Sequence, residues 1–161
     1  LRNLRFTFGS ENSTSGRLMP EYFLNIAGVK TSEFKGKKPG FSGSHDATVA
    51  LVNSGAFEAG ALNKQIWEKN LKNNPKRTKN IDVFFVTPSY VDYHWLSQGD
   101  LDEKFYSGFT KKLKKAILNL NENNPNHKII LEMFNAKKFI DSDAKQYKNI
   151  EEIGRKLKKI R

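Results

Sequence analysis

The stretch Gly9-Ser10-Glu11-Asn12-Ser13-Thr14-Ser15-Gly16-Arg17-Leu18-Met19-Pro20 decides the fold, because it joins the first predicted strand to the first predicted helix. Residues 5–8 alternate in polarity, which favours a strand, and Leu18, Tyr22 and Ile26 recur every four residues, as on one face of a helix. Pro20 fits a first helical turn, where a backbone N–H has no partner inside the helix. The hydroxyl residues 13–15 therefore lie where a strand ends and a helix begins.

This junction is predicted to be an oxyanion-binding loop. The unpaired N–H groups and the dipole of a helix N-terminus both favour an anion. The hydroxyls of Ser13, Thr14 and Ser15 add neutral donors, and Gly16 closes the loop. Helix capping needs only one hydroxyl, so a purely structural role stays open beside the binding role. The Gly-Lys-Ser/Thr ending of a nucleotide phosphate loop is absent.

The composition is typical of a folded protein, since 37% of the 161 residues are hydrophobic and 12% are aromatic. The chain has no cysteine, which excludes a disulfide framework and thiolate chemistry. It contains no run of about 18 apolar residues that would span a membrane. No signal peptide is visible, and because the chain opens on Leu1, we expect that this is not the native start.

The net charge of +11 raises nucleic acid as a partner. The excess is spread over both halves of the chain, however. Its densest cluster, Lys111–Lys115, lies on a predicted amphipathic helix with Leu113 and Ala116 facing inward. We therefore expect a solvated lysine face and no nucleic-acid partner. A basic nucleic-acid-binding domain is kept as the alternative from a different class.

Strand and helix patterns alternate up to residue 95, which predicts an α/β lobe with a mostly parallel sheet flanked by helices. Gly28 ends the first helix, a second strand–hydroxyl–helix junction at residues 41–47 has Ser44 as its N-cap, and a third unit starts with a strand at 56–61. Residues 81–86 are predicted to form a buried strand. From residue 102 the pattern is only helical. The apolar stripes of this tail are Phe105/Phe109/Leu113/Ala116/Leu120, Ile129/Ile130/Met133 and Ile150/Ile153/Leu157/Ile160.

Catalysis and metal binding are not favoured. A hydrolase would pair His45 with Ser13 or Ser15 and with Asp46 or Asp92, yet no nucleophile elbow is present. The three histidines share no metal-ligand spacing. We therefore predict no catalytic residue, no metal and no cofactor.

Ligand binding is favoured by the position of three polar loops. Residues 13–16, 42–45 and 89–92 each follow a predicted strand, and ligands of α/β sheets lie beyond the carboxyl ends of strands. The loops are therefore predicted to converge on one cleft, although His45 alone would also suit an exposed loop or a helix cap. Asp92 next to an anion requires a proton on the ligand, because a carboxylate can only accept a hydrogen bond.

Four ordered segments, within about residues 1–120, resemble the phosphate/phosphite/phosphonate-binding proteins of ABC importers. These segments are Ser13–Pro20, Gly43–Ala47, Ala59–Ala61 and Thr87–Asp92. The resemblance implies a two-lobed, type 2 periplasmic-binding-protein fold. It also implies that Ser13, Thr14, Ser15 and His45 donate hydrogen bonds to phosphono oxygens, and that Asp92 meets the protonated or amino end of the ligand.

The same resemblance implies a domain organisation. The family chain is nearly twice as long, so residues 1–95 would be its second, ligand-binding lobe. Residues 96–161 would be C-terminal helices that pack on a first lobe absent from this chain. Where aminophosphonate-binding members place a carboxylate, this sequence has Leu62 and Asn63, which favours a small inorganic or alkyl phosphorus oxyanion.

The implied function is that of the solute-binding component of a bacterial ABC importer. It would bind phosphonate, phosphite or phosphate non-covalently in an interlobe cleft and present it to the membrane permease. We expect a monomer that is periplasmic or anchored on the outer side of the cytoplasmic membrane. A ligand-sensing domain of a signalling receptor with the same fold stays an alternative.

Overall fold

The structure is a computed structural model that describes residues 1–91 and 93–160. It divides into two compact units. The first comprises the chain up to residue 92 together with the segment from residue 147, and the second comprises residues 93–146. All described strands belong to the first unit.

The described helices and strands follow one another in a mostly alternating order up to residue 73. The strands are β1 (Phe6–Phe8), β2 (Gly40–Phe41) and β3 (Ala59–Gly60). The helices are α1 (Met19–Ile26), α2 (His45–Asn53), α3 (Lys64–Asn73), α4 (Pro75–Thr78), α5 (Leu101–Lys104), α6 (Phe109–Leu118), α7 (Pro125–Met133) and α8 (Lys148–Lys156). A π-helical turn at Thr14–Leu18 precedes α1, and short 3₁₀ turns lie at Thr31–Glu33, Lys35–Lys37 and Ala144–Tyr147.

The sheet has the strand order β2-β1-β3, and both of its pairings are parallel. Thr7 of the central strand lies opposite Gly40 on one side and Gly60 on the other. This arrangement confirms the predicted parallel sheet. Because the strands run in the same direction, their carboxyl ends meet at one edge, and the three following loops start there.

Both faces of β1 are covered, which is why all three of its residues are buried. Phe6 and Phe8 point to one face, where they form the core with Phe34 and Ala59. Thr7 points to the other face, towards α2. A Cβ atom on Gly60 would lie only 2.7 Å from the side chain of Thr48 on α2, so this glycine allows the helix to lie close to the sheet.

The first unit confirms two predicted helix boundaries. Gly28, after the end of α1, has a φ of +71°, the left-handed conformation that glycine adopts without strain. Ser44 caps α2, because its Oγ accepts a hydrogen bond from the backbone N of Ala47 at 3.2 Å. Helix α8, which the sequence grouped with the C-terminal tail, packs on α1 within the first unit.

The predicted strand at residues 81–86 is wrong. Residues 81–91 form neither helix nor strand, and the side chains of Val83, Phe84, Phe85 and Val86 are between 52% and 65% exposed. Aromatic and β-branched residues form a strand only where a neighbouring strand offers hydrogen-bond partners, and no described strand pairs with this segment. The segment contacts α1 through Phe85, whose ring centroid lies 5.7 Å from that of Phe23.

The second unit contains α5, α6 and α7. The stripe predicted to run from Phe105 to Leu120 is interrupted at Gly108, which has a φ of +84°. On α7 the three residues of the predicted stripe are between 37% and 77% exposed, whereas Leu131 is buried, so the stripe is an uncovered apolar face. The lysines of residues 111–115 are exposed as predicted, but Leu113 and Ala116 are exposed as well. No helix in the described part of the chain is long and apolar enough to cross a membrane.

Candidate anion-binding site

The loop after β1 is closed by its own hydrogen bonds. Ser13 is the N-cap of the π-helical turn, and its Oγ accepts a hydrogen bond from the backbone N of Gly16 at 2.9 Å. The backbone O of Gly16 accepts in turn from the N of Gly9, also at 2.9 Å. Capping therefore uses one of the three hydroxyls. The N–H groups of Thr14 and Ser15 open the helical turn, where a helix offers them no internal partner.

Gly16 brings the loop into contact with the loop after β2. A Cβ atom on this residue would lie 3.0 Å from Ser13 Oγ, 3.1 Å from His45 Cε1 and 3.3 Å from Gly9 Cα. The imidazole of His45 therefore lies directly against the backbone of the hydroxyl loop. The structure thus brings Ser13, Thr14, Ser15, Gly16 and His45 together, although they are up to 32 positions apart in sequence.

His45 is the first residue of α2, immediately after the capping Ser44. Its Nδ1 atom accepts a hydrogen bond from the backbone N of Asn63 at 3.3 Å. The end of β2 is tied to the start of α2 by Ser42, whose Oγ donates to Ser44 O at 2.8 Å and lies 2.7 Å from Thr48 Oγ1. The hydroxyl of Ser42 thus fixes the position from which α2 presents His45.

Asn63 supplies the third loop of the site. The sequence marked it only as standing, with Leu62, where aminophosphonate-binding members place a carboxylate, and did not indicate these contacts. Asn63 is the N-cap of α3, accepting from the N of Gln65 at 2.8 Å, and its Nδ2 donates to Ser15 Oγ at 3.5 Å. Asn63 is only 8% exposed to solvent. The available signal was positional, because Asn63 follows the third parallel strand just as the capping residues Ser13 and Ser44 follow the first two.

Three helical N-termini therefore meet at the carboxyl edge of the sheet. They are capped by Ser13, Ser44 and Asn63, and the contacts of Asn63 with Ser15 and His45 join them. Each N-terminus carries a partial positive charge and outward N–H groups, so their convergence favours an anion. Parallel α/β sheets commonly bind ligands at this edge.

The third loop predicted from the sequence is a different one. Residues 89–92 were expected to follow a strand, but residues 81–91 contain no strand in the structure. Asp92, the predicted acceptor for a protonated ligand oxygen, lies outside the described residues. The loop that completes the described site is the one that begins after β3.

Arg17, the cationic residue that follows the loop at residues 13–16, is paired with a carboxylate. Arg17 Nε lies 2.6 Å from Glu21 Oε2, and the two side chains are only 13% and 11% exposed. The guanidinium also lies 4.9 Å and 4.7 Å from the ring centroids of Phe8 and Phe41. Glu21 receives a second cation, Lys159, at 3.5 Å. The donors that the loop offers are therefore neutral hydroxyl and amide groups.

The carboxylate next to His45 serves the packing of two helices. Asp46 Oδ1 accepts a hydrogen bond from Asn70 Nδ2 on α3 at 2.9 Å. The same Asn70 nitrogen also donates to the carbonyl of Ile66 at 2.9 Å. The hydrogen bond between Asn70 and Asp46 holds α2 against α3 and so keeps the N-termini of the two helices together. In the described part of the chain, no three His, Asp or Glu side chains are grouped as metal ligands would be.

Comparison with known proteins identifies the family. A family model described as the periplasmic substrate-binding protein of phosphonate ABC transporters matches residues 1–147. The chain belongs to this family. The predicted resemblance is thereby confirmed, and the family's description is that of a binding component of a transporter and not of an enzyme.

Two bacterial proteins illustrate the match. The chain is 74% identical over its 161 residues to a protein of Prochlorococcus marinus strain MIT 9301 named "Probable ABC transporter phosphite binding protein PhnD1", and it covers 54% of that protein. The solved structure of PhnD1 in complex with methylphosphonate matches with a TM-score of 0.96 over 99% of this chain and 59% of that one. The binding protein of a Pseudomonas aeruginosa ABC phosphonate transporter matches with a TM-score of 0.72 at 23% identity, over 94% of this chain and 48% of that one, and shows the fold alone.

These matches confirm the predicted fold class, an α/β lobe of the periplasmic-binding-protein type. The chain spans about half the length of the relatives it matches.

Proposed function

We propose that this chain forms the ligand-binding lobe of the solute-binding component of an ABC importer, and that it binds a phosphorus oxyanion without catalysing a reaction. The observation that carries the proposal is the meeting of three helical N-termini around a loop of neutral hydroxyls. The names of the family and of its relatives, which refer to phosphonate, phosphite and methylphosphonate, support this class of ligand.

The proposed ligand is held by the hydroxyls of Ser13, Thr14 and Ser15, by the N–H groups of the turn that ends at Gly16, and by the imidazole of His45. A hydroxyl that accepts one hydrogen bond can still donate its own, so the capping role of Ser13 is compatible with binding. Asp92 is proposed to accept a hydrogen bond from a protonated oxygen of the ligand. Because these donors are neutral, selectivity among oxyanions of equal charge depends on geometry.

The rest of the proposal concerns the whole protein. The ligand lies in a cleft between this lobe and another, and closure of the lobes presents it to a membrane permease. Residues 96–146 contribute helices that pack on the other lobe, whereas α8 packs on α1 of this lobe. The protein acts as a monomer, in the periplasm or anchored on the outer side of the cytoplasmic membrane.

Calorimetric titration tests the ligand class. We would titrate phosphite, phosphate, methylphosphonate and 2-aminoethylphosphonate into this chain and into a hybrid that joins it to the remaining part of PhnD1. We expect the hybrid to bind one of the first three ligands tightly and the isolated chain to bind it weakly. If neither protein binds any of these oxyanions, and both bind DNA with an affinity that falls steeply with salt, the proposal is contradicted.

A matched pair of variants tests the position of the site. Thr14→Val keeps the branched shape and removes the hydroxyl, and a hydrogen bond to a charged group contributes about 1.5–3 kcal/mol. We therefore expect the affinity of the hybrid to fall roughly 10- to 100-fold. Thr31→Val, in the 3₁₀ turn Thr31–Glu33, makes the same change outside the loop and should leave the affinity unchanged. An unchanged affinity for Thr14→Val would place the site elsewhere.

A further inference from the structure

We propose that Asn63 is a positioning residue that fixes the tautomer of His45, so that the neutral imidazole carries its proton on Nε2. The effect of this tautomer on ligand binding rests on the proposed function. The tautomer itself does not depend on the proposed function, because it follows from contacts within the described part of the chain.

The hydrogen bond between the two residues determines the tautomer. The backbone N of Asn63 lies 3.3 Å from His45 Nδ1, and a backbone N–H can only donate. Nδ1 must therefore offer its lone pair, and a neutral imidazole with an unprotonated Nδ1 carries its proton on Nε2. A neutral His45 is thus a hydrogen-bond donor at Nε2 and not an acceptor.

The hydrogen bond from Asn63 also disfavours the alternative orientation of the ring. Cβ atoms on Gly9 and Gly16 would lie 3.6 Å from His45 Nδ1 and 3.1 Å from Cε1, so the ring lies against both glycines. Rotating the ring by half a turn would place the carbon Cδ2 next to the N–H of Asn63. The buried N–H would then lose its acceptor, which is costly. One orientation of His45 is therefore strongly preferred.

The side chain of Asn63 orients a second group of the site. Its Nδ2 donates to Ser15 Oγ at 3.5 Å, while its Oδ1 is held by the N of Gln65. A serine oxygen that accepts this bond directs its own O–H elsewhere, as a donor. Asn63 thus sets both His45 and Ser15 as donors. The ligand oxygens that meet them act as hydrogen-bond acceptors, and an unprotonated, charged P–O oxygen is a stronger acceptor than a P–OH oxygen.

Nitrogen NMR measures the tautomer without any ligand. Long-range ¹H–¹⁵N spectra of the imidazoles would be recorded at about pH 8.5, roughly two units above the usual histidine pKa. The chain has three histidines, and the signals lost in His45→Gln are those of His45. We expect a protonated Nε2 and an unprotonated Nδ1. A protonated Nδ1 in the unsubstituted chain overturns the proposal by itself.

Two substitutions at residue 63 separate its backbone from its side chain. Asn63→Ala removes the amide and keeps the N–H, whereas Asn63→Pro removes both, and the φ of −69° at this position suits proline. We expect Ala to keep the Nε2–H tautomer and Pro to populate both tautomers. In the hybrid with PhnD1, we expect Ala to lower the oxyanion affinity about fivefold and Pro to lower it about fivefold further.

The outcomes distinguish the two proposals. Identical imidazole spectra for folded Asn63→Ala and Asn63→Pro would overturn the positioning role, with thermal melts monitored by circular dichroism showing that both variants are folded. If the Asn63→Pro variant does not fold, the imidazole spectrum of the unsubstituted chain still shows which tautomer His45 adopts. A tautomer that responds as expected in a protein that binds no phosphorus oxyanion would instead refute the proposed function and leave the positioning role intact.

Discussion

Gly16→Ala is the substitution that tests the candidate site most directly, because the added methyl group enters the space between two of its loops. The new Cβ would lie 3.0 Å from Ser13 Oγ and 3.1 Å from His45 Cε1, which is closer than ordinary van der Waals contact. Ser13 can yield only by rotating away from the N–H that it caps. His45 can yield by shifting its ring, which changes the hydrogen bond from Asn63 to Nδ1. Either movement displaces a proposed ligand group by a few tenths of an ångström.

The expected cost of Gly16→Ala follows from this overpacking. Inserting a methyl group into a closely packed site costs about 1–3 kcal/mol, and for a chain of this size each kcal/mol lowers the melting temperature by about 2–4 °C. We therefore expect a melting temperature lower by about 2–12 °C. The oxyanion affinity of the hybrid should fall at least about tenfold, because one charged hydrogen bond is weakened or lost.

The assay for Gly16→Ala is thermal melting with and without methylphosphonate, combined with calorimetric titration. Gly99→Ala is the matched control, since a Cβ atom at Gly99 meets nothing within 4 Å. It should leave both the melting temperature and the affinity almost unchanged. If Gly16→Ala behaves like the control, the loops are not packed together at Gly16 and the geometry argued for the site is wrong.

Two further predictions concern stability. Hydrogen bonds from the guanidinium and then from the backbone N–H of Arg5 lower the pKa of Glu58 from 4.5 to about 2. The ionised Glu58 therefore stabilises the fold above pH 4.5, and this contribution is lost as the pH falls towards 2. Urea midpoints of Glu58→Gln should fall less over that interval than those of the unsubstituted chain, and parallel curves would contradict this. Arg17→Lys should lower the free energy of unfolding by about 1–2 kcal/mol, because lysine does not reproduce the contact of the planar guanidinium with the two phenylalanine rings. Arg155→Lys, at an exposed i,i+4 pair, should cost at most about 0.5 kcal/mol, and equal losses at both positions would refute the role of the ring contacts.

The parts of the fold that the sequence predicted are those that neighbouring residues determine. A capping serine, a glycine after a helix and a short apolar alternation act over a few positions, so Ser44, Gly28 and β1 were predictable. The loop at residues 13–16 was predictable for the same reason. Its strand and its helix adjoin it directly.

The parts that the sequence did not predict depend on distant partners. Residues 81–86 have the composition of a strand, but the composition does not reveal whether a pairing strand is present. The role of Asn63 depends on its contacts with Ser15, 48 positions away, and with His45, 18 positions away. The pairing of Arg17 with Glu21 was within reach, because oppositely charged residues four positions apart on a helix are neighbours.

The position of the proposed site depends on glycines, where any side chain would push neighbouring elements apart. At Gly60 a Cβ atom would contact α2, at Gly40 it would lie 2.5 Å from the ring of Phe57, and at Gly16 it would push His45 from the loop. Glycines thus set the distance between the sheet and α2 and the distance between the first two loops. Three helical N-termini can act on one small anion only if each is placed to within about half an ångström. Close backbone packing achieves this without a charged side chain, which is why a site of neutral donors can be selective by geometry.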